Sequence, residues 1–293
     1  MVSLIFIKKQ MLRIALQSKG RLNEDSTALL NEIGINVDDS KRSFLAKTPN
    51  FPIELLYMRD DDIPQVVSSG TASLGIVGLN EVVEKGLKVE IVERLGFGGC
   101  RISLAVPKSV EYNGPQWFEG KKIATSYPSI LKKYLEEKGI NADIEVITGS
   151  VEIAPAAGIA DAIFDIVSSG STLISNGLVE VEKVFESEAV LISNGHLDSE
   201  QQAILDEMLF RMASARVSRD KKYLLLNLPS SAIDEAVKIL PSMRSPTVMP
   251  LAADGWCSMH SVVNNSELWE KVRQLKAIGA EGILVLNVDK IIL

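Results

Sequence analysis

The stretch DIVSSGSTL, Asp165 to Leu173, carries residue types and a spacing suited to chemistry. An apolar, strand-like lead ends in an acid, and small hydroxyl residues then flank Gly170. Side chains this small leave backbone N–H groups open to an incoming group. A loop of such groups at the C-terminal end of a strand, opening toward a helix N-terminus, is a phosphate cradle. Ser168, Ser169, Ser171 and Thr172 add hydroxyl groups, and Gly170 permits close approach. Asp165, just upstream, suits a sugar hydroxyl or a hydrated magnesium ion. Phosphate beside sugar hydroxyls describes a ribose 5-phosphate group. The competing reading is an ordinary Ser/Gly turn, since so short a motif is not specific by itself.

The surrounding pattern supplies the scaffold. LRIAL (12–16) reads as a strand, the loop QSKGRLN follows, and a helix is expected from about Ser26 to Ile33. A second strand fits IELLYM (53–58). In RDDDIPQVVSSG, Pro64 suits the first turn of a helix and Gly70 its stop. SLGIVG (73–78) reads as a buried strand and NEVVEKG (80–86) as a helix. RISLAVP (101–107) closes this lobe. KKIATSYP then runs from strand into the helix PSILKKYLEEKG, followed by IEVITG (144–149) and AIFDIV. Strands alternating with helices imply mostly parallel sheets covered on both faces. GTASLGIVG and GIADAIFDIVSSG share a small-residue lead, a weak internal likeness that suggests two similar lobes around a cleft. From Lys221 the order is strand, helix, two strands, helix, strand, the ferredoxin-like βαββαβ sandwich. The expected division is 11–106 for the first lobe with 192–219 returning to it, 107–191 for the second, and 220–293 for the sandwich.

Composition bounds the function. The 293 residues are 46% hydrophobic and 24% charged, with a net charge of −7. That charge argues against nucleic acid and anionic membrane as partners, because neither is attracted to it. No apolar run is long enough to span a membrane. Two cysteines, Cys100 and Cys257, form no metal-ligand pattern and read as free thiols of a reducing cytoplasm. MVSLIFIKKQ is a poor export signal, since its lysines follow its apolar core, and Met11 is read as the start of the folded protein.

The wider run GSVEIAPAAGIADAIFDIVSSGSTLISNGL closely resembles the signature segment of the ATP phosphoribosyltransferase family, with Glu152, Gly158, Asp161, Asp165, Gly170, Thr172 and Leu173 at the family's spacing. LRIALQSKGRL, RDDDIPQVVSSGTASLGIVGLN, LGFGGCRISLAVP, IATSYPSILKKYL and LKAIGAEGILVLNVDKII agree in order. The resemblance runs from about Met11 to the end and includes the third domain of the family's long form. It implies two lobes like those of periplasmic binding proteins, plus the sandwich. The implied reaction transfers the 5-phosphoribosyl group of phosphoribosyl pyrophosphate to N1 of the adenine of ATP, with Mg²⁺ on the pyrophosphate. It opens histidine biosynthesis, with feedback inhibition by histidine, in a dimer that assembles into a hexamer.

The same resemblance carries roles onto particular residues. Ser168, Ser169, Gly170, Ser171 and Thr172 are assigned to the 5-phosphate, and Asp165 with Glu152 to the ribose or its magnesium. Lys19, Arg21 and Arg59 are candidates for the triphosphate or pyrophosphate, against the usual fate of such residues as solvated charges. Tyr127 is a candidate to pack on adenine or a core tyrosine. Arg101 is an active-site charge, a hinge residue or half of a structural ion pair. Asn227, Met243, Thr247, Val262 and Gly282 match the inhibitor pocket, with Asn227 where relatives can have an acid. Ala156 stands where a common family form has a basic residue, so no role passes to it. Cys100 and His260 read as structural. A solute-binding protein and a regulator's effector domain are the rival classes. The first lacks an export signal and the second a helix-turn-helix with a basic face.

Overall fold

The structure, a computed structural model, describes residues 11–37 and 44–292. Met11 is among them; the ten residues before it lie outside the described residues. The chain divides into two compact units that part between Ile204 and Leu205.

The first unit holds two sheets. One contains β1 (Leu12–Gln17), β2 (Leu45–Lys47), β3 (Ile53–Met58), β4 (Leu74–Gly78) and β5 (Glu90–Arg94), with α1 (Arg21–Glu32), α2 (Ile63–Ser68) and α3 (Leu79–Lys85) between them. The second contains β6 (Cys100–Pro107), β7 (Lys122–Thr125), β8 (Asp143–Val146), β9 (Ala162–Val167) and β10 (Leu178–Ser187), with α4 (Pro128–Lys138) and α5 (Ser171–Ser175). β11 (Ala189–Ser193) then returns to the first sheet, whose order is β2-β3-β1-β4-β11-β5; the second runs β10-β6-β9-β7-β8. In the first sheet the parallel strands β3-β1-β4 are flanked on both sides by antiparallel ones; in the second, parallel β9-β7-β8 form one end, and antiparallel β6 and β10 continue from β9. Leu12, Ile14, Ala15 and Leu16 are all fully buried, which explains why β1 reads as an apolar run interrupted only by Arg13 rather than as an alternating one.

Several boundaries move. Helix α1 begins at Arg21 rather than near Ser26, because Gly20, at φ 96°, turns the chain straight out of β1. Its first turn, RLNE, holds a single apolar residue, Leu22, too few to mark a helical period. The strand at 100–107 pairs with β9 and β10, so the lobes change before Cys100 and not at 106/107. The return comes at Ala189 rather than 192. The two crossing segments bind one another: Leu95 N–H donates to the Ala189 carbonyl (3.0 Å) and Ala189 N–H to the Phe97 carbonyl (2.9 Å). Strands β2, β5 and β10 lie at sheet edges, where half-exposed positions blur the hydrophobic pattern.

α6 (Ser199–Arg219) enters the second unit, which comprises β12 (Lys221–Pro229), α7 (Ile233–Ile239), β13 (Thr247–Pro250), β14 (Trp256–Asn264), α8 (Leu268–Ala277) and β15 (Glu281–Asn287). Its antiparallel sheet has the order β13-β14-β12-β15, the ferredoxin-like arrangement the βαββαβ pattern predicts. Leu224, Leu226, Leu228, Cys257, Met259 and Val263 form its core with residues of α7 and α8. The parting at 204/205 precedes the expected 219/220. The end of α6 is tied to this unit's tail, with Ser218 Oγ donating to the Asp289 carbonyl (2.7 Å) and Ile291 N–H to that of Ser214 (3.3 Å).

Candidate functional site

The loop after β9 is built by one glycine. Gly170 has φ 79° and ψ 0°, the left-handed conformation, and α5 begins at the next residue. A β-carbon there meets only Val167 Cγ1 at 3.9 Å, so backbone conformation rather than crowding demands glycine. Ser168, Ser169, Ser171 and Thr172 are exposed around this turn, and the hydroxyls of Ser169 and Ser171 share a hydrogen bond of 2.9 Å. The loop lies at the C-terminal end of β9, where open α/β sheets place their ligands.

Asp165 is half-buried on β9, and the Ile166 N–H donates to its Oδ1 at 2.8 Å. Burial pushes its carboxyl up to about 6, helped by the charge of Glu152 and opposed by that hydrogen bond. Glu152, on a short 3-10 turn (Val151–Ile153), is therefore an electrostatic neighbour of Asp165. No group of three or more His, Cys, Asp or Glu side chains suited to a metal occurs among the described residues. Two neighbouring carboxylates nevertheless fit magnesium, which takes one or two carboxylates and completes its shell with water and substrate phosphates.

A cavity of about 380 Å³ opens between the lobes, lined by Gln17, Arg21, Asp60, Asn80 and Glu81 from the first and by Cys100, Ile166 and Ser168 from the second. Arg21 stands at the start of α1 on its wall, and Lys19 in the exposed turn just before. Arg59 is exposed, its guanidinium bound to Asp61 through Nε (2.9 Å) and Nη2 (3.2 Å), while its neighbour Asp60 lines the cavity. Arg101 is the structural ion pair: Nε and Nη2 grip the two carboxylate oxygens of Glu180 at 2.5 and 2.6 Å. Tyr127 is buried at 7% exposure, its ring in the second lobe's core. It offers no open face for stacking.

Sequence reasoning passed over a buried polar cluster between the lobes. Glu81 is 6% exposed, and its Oε1 accepts from Tyr127 Oη (2.9 Å) and Asn80 Nδ2 (3.0 Å). Ser187 Oγ donates to Asn80 Oδ1 (2.7 Å) and accepts from the Asn80 N–H (3.0 Å). Burial raises the Glu81 carboxyl to about 7 against the Tyr127 hydrogen bond, and the charges of Asp60 and Asp61 raise it further. The Cys100 thiol is raised by burial too, so it is a poor nucleophile. One signal marked this cluster: Asn80 and Glu81 lie in the first turn of the helix that follows the C-terminal end of a parallel strand.

In the second unit, Asn227 pairs with Ser258, Thr247 with His260 and Val262 with Tyr223. Directly opposed residues share a face, so these positions meet on the sheet surface turned away from the core. An ideal β-carbon on Gly282 lies 3.3 Å from Asn227 Nδ2, and Ser242, beside Met243, accepts the Val262 N–H (3.3 Å). His260 lies in their midst, its Nδ1 2.7 Å from Tyr223 Oη.

Residues 59–214 match the family described as "ATP phosphoribosyltransferase", and residues 218–290 match its C-terminal domain. Relatives of that name are 56% identical in Bacteroides thetaiotaomicron, over 96% of this chain and all of the relative, and 58% identical in Phocaeicola vulgatus, over 97% and all of it. Among solved structures, a chain of the ATP phosphoribosyl transferase (HisG:HisZ) complex of Thermotoga maritima superposes with a TM-score of 0.60 at 28% identity, over 69% of this chain and 96% of that one. No helix among the described residues is long and apolar enough to cross a membrane.

Proposed function

Because the chain belongs to the ATP phosphoribosyltransferase family, a pentosyltransferase family of histidine biosynthesis, we propose that it joins N1 of the adenine of ATP to C1 of the ribose of phosphoribosyl pyrophosphate. The C1–N1 bond forms as the C1–O bond to pyrophosphate breaks, and the bonding pair leaves with the pyrophosphate oxygen. The observation that carries this reading is the turn at Gly170, where four hydroxyl residues surround a left-handed glycine at a strand end, beside two interacting carboxylates. N–H groups and hydroxyls of Ser168 to Thr172 hold the 5-phosphate, while Asp165 and Glu152 orient the ribose hydroxyls. Their negative charge also favours the cationic character that C1 gains. Magnesium bound with the substrate, against Glu152 and Asp165, would offset the charge on the departing pyrophosphate. N1 already carries a lone pair, so no strong general base is needed. The ATP side lies along Lys19, Arg21 and Arg59. In this reading Tyr127 acts from behind the cavity wall, through Glu81, rather than by stacking.

The second unit is the histidine sensor, using Asn227, Met243, Thr247, Val262 and Gly282, and the enzyme works in the cytoplasm as a dimer that inhibitor draws into a hexamer. The convergence of Asn227, Thr247 and Val262 at one sheet face, with Gly282 against Asn227, supports a shared ligand there.

The deciding experiment is pyrophosphate release. The enzyme reading expects it only when ATP, phosphoribosyl pyrophosphate and magnesium are all present. Tight binding of either ligand without turnover would instead favour the solute-binding class, which shares the two-lobe plan.

A further inference from the structure

Arg101 is a cation beside a phosphate loop that gives its charge to a carboxylate instead. Its fork is closed on Glu180, and Ser103 Oγ donates to the same Oε1 at 2.7 Å. The remaining Nη1 donates to the backbone carbonyl of Ser168 at 3.1 Å. Ser168 is the first residue of the loop. A trans peptide is planar, so its carbonyl and the following N–H point in opposite directions. Pinning the Ser168 carbonyl to Arg101 therefore turns the Ser169 N–H the other way.

Glu180 reaches this place through an irregularity of β10. Glu180 lies opposite Ala105, whereas Glu182 lies opposite Leu104, because one extra residue is accommodated between them. In a regular strand residues two apart share a face, and a bulge breaks that rule. Glu182 accordingly serves the other face, where it accepts from Tyr112 Oη at 2.6 Å. Glu180 joins Arg101 and Ser103 on the face where Ala105 packs with Val167 and Leu173, the residues flanking the loop. Arg101 in turn holds the Glu180 carboxyl below the usual carboxylate range.

We propose that Glu180 and Arg101 are positioning residues for phosphoribosyl pyrophosphate: Glu180 clamps Arg101, and Arg101 fixes the first peptide of the loop so that its N–H faces the 5-phosphate. This rests on the reading of the loop as the phosphate cradle. It differs in sign from a direct role for Arg101 on pyrophosphate or ATP. If Arg101 touched substrate, removing Glu180 would free a cation and tighten binding.

The test compares Glu180→Ala, Glu180→Gln, Arg101→Lys and Arg101→Ala with the parent enzyme, measuring KM for each substrate, kcat and melting temperature. The expected result for Glu180→Ala and Arg101→Lys is a rise of about tenfold in KM for phosphoribosyl pyrophosphate, the size of one charge-assisted hydrogen bond. KM for ATP stays within about twofold of the parent. Glu180→Gln, which keeps an acceptor, lies between. Adding guanidinium to Arg101→Ala lowers its raised KM for phosphoribosyl pyrophosphate. A fall in that KM in Glu180→Ala, equal rises for both substrates, or no change in any variant overturns the proposal. Gly170→Ala separates the two levels. If it leaves KM for phosphoribosyl pyrophosphate unchanged, the cradle reading fails. If it raises that KM while Glu180 and Arg101 variants do not, only the positioning role fails.

Discussion

At Gly170 the side chain that matters is the missing one. The left-handed backbone costs any L-residue about 1–2 kcal/mol, although the space beside it is open. Gly170→Val is expected to fold, with a melting temperature lowered by a few degrees, about what this strain implies, and to lose at least about tenfold in kcat/KM for phosphoribosyl pyrophosphate. Thr172→Ala is expected to raise KM for that substrate severalfold while sparing ATP; an equal effect on both would move Thr172 out of the cradle. Glu81 makes a different kind of prediction. Its carboxyl is raised from about 4.5 to about 7 in the fold, so the folded state binds more protons than the unfolded chain between those values. The stability linked to it is full below about pH 4.5 and is lost as pH rises through about 7. Glu81→Gln cannot lose that proton, so thermal melts should show the variant gaining on the parent from pH 5 to pH 8. The gain is at most about 3 kcal/mol by the size of the shift. A difference independent of pH would mean that Glu81 is ionised throughout.

Among the elements, α3 and α4 make one of the contacts between the lobes. Tyr127, at the N-cap of α4, caps nothing with its own side chain, and Pro128 follows. The capping comes from the other lobe, where the Glu84 carboxylate accepts the N–H groups of Ser129 (2.9 Å) and Ile130 (3.0 Å). A carboxylate there also meets the positive end of the helix dipole. Glu84→Ala is expected to cost about 1–2 kcal/mol in urea unfolding and Glu84→Gln roughly half of that. Loss of activity without loss of stability would show that the contact governs lobe movement instead. Edge strands were the elements hardest to read. In LVEVEKVFES the alternation is broken by the bulge that separates Glu180 from Glu182, so no fixed period marks the strand.

For the whole molecule the prediction concerns the separability of sensing and turnover. Thr247 and Val262 lie on the open sheet face of the second unit, far in sequence from the Gly170 turn. Thr247→Trp is expected to retain kcat while losing inhibition by histidine. Regulation requires histidine to favour one assembly over another, because equal affinity for both shifts nothing. Sedimentation should therefore show a larger species on adding histidine to the parent and no change in the variant. Full inhibition in Thr247→Trp would place the histidine site elsewhere.

The buried central elements and the loop are legible in the chain itself. Buried strands such as LRIAL and AIFDIV announce themselves by apolar runs interrupted by a single charge, Gly170 and its hydroxyl neighbours by composition, and the βαββαβ order of the second unit by its alternating periods. All of these rest on interactions among residues close in the chain, or on one face of one element. The tertiary structure decided what each charge is for. Arg101 and Glu180 stand 79 positions apart, Glu81 and Tyr127 46. Nothing local distinguishes an arginine that grips a carboxylate from one that awaits a phosphate. The choice depends on which side chain a distant strand brings within 3 Å, and a one-residue bulge in that strand is enough to change the answer.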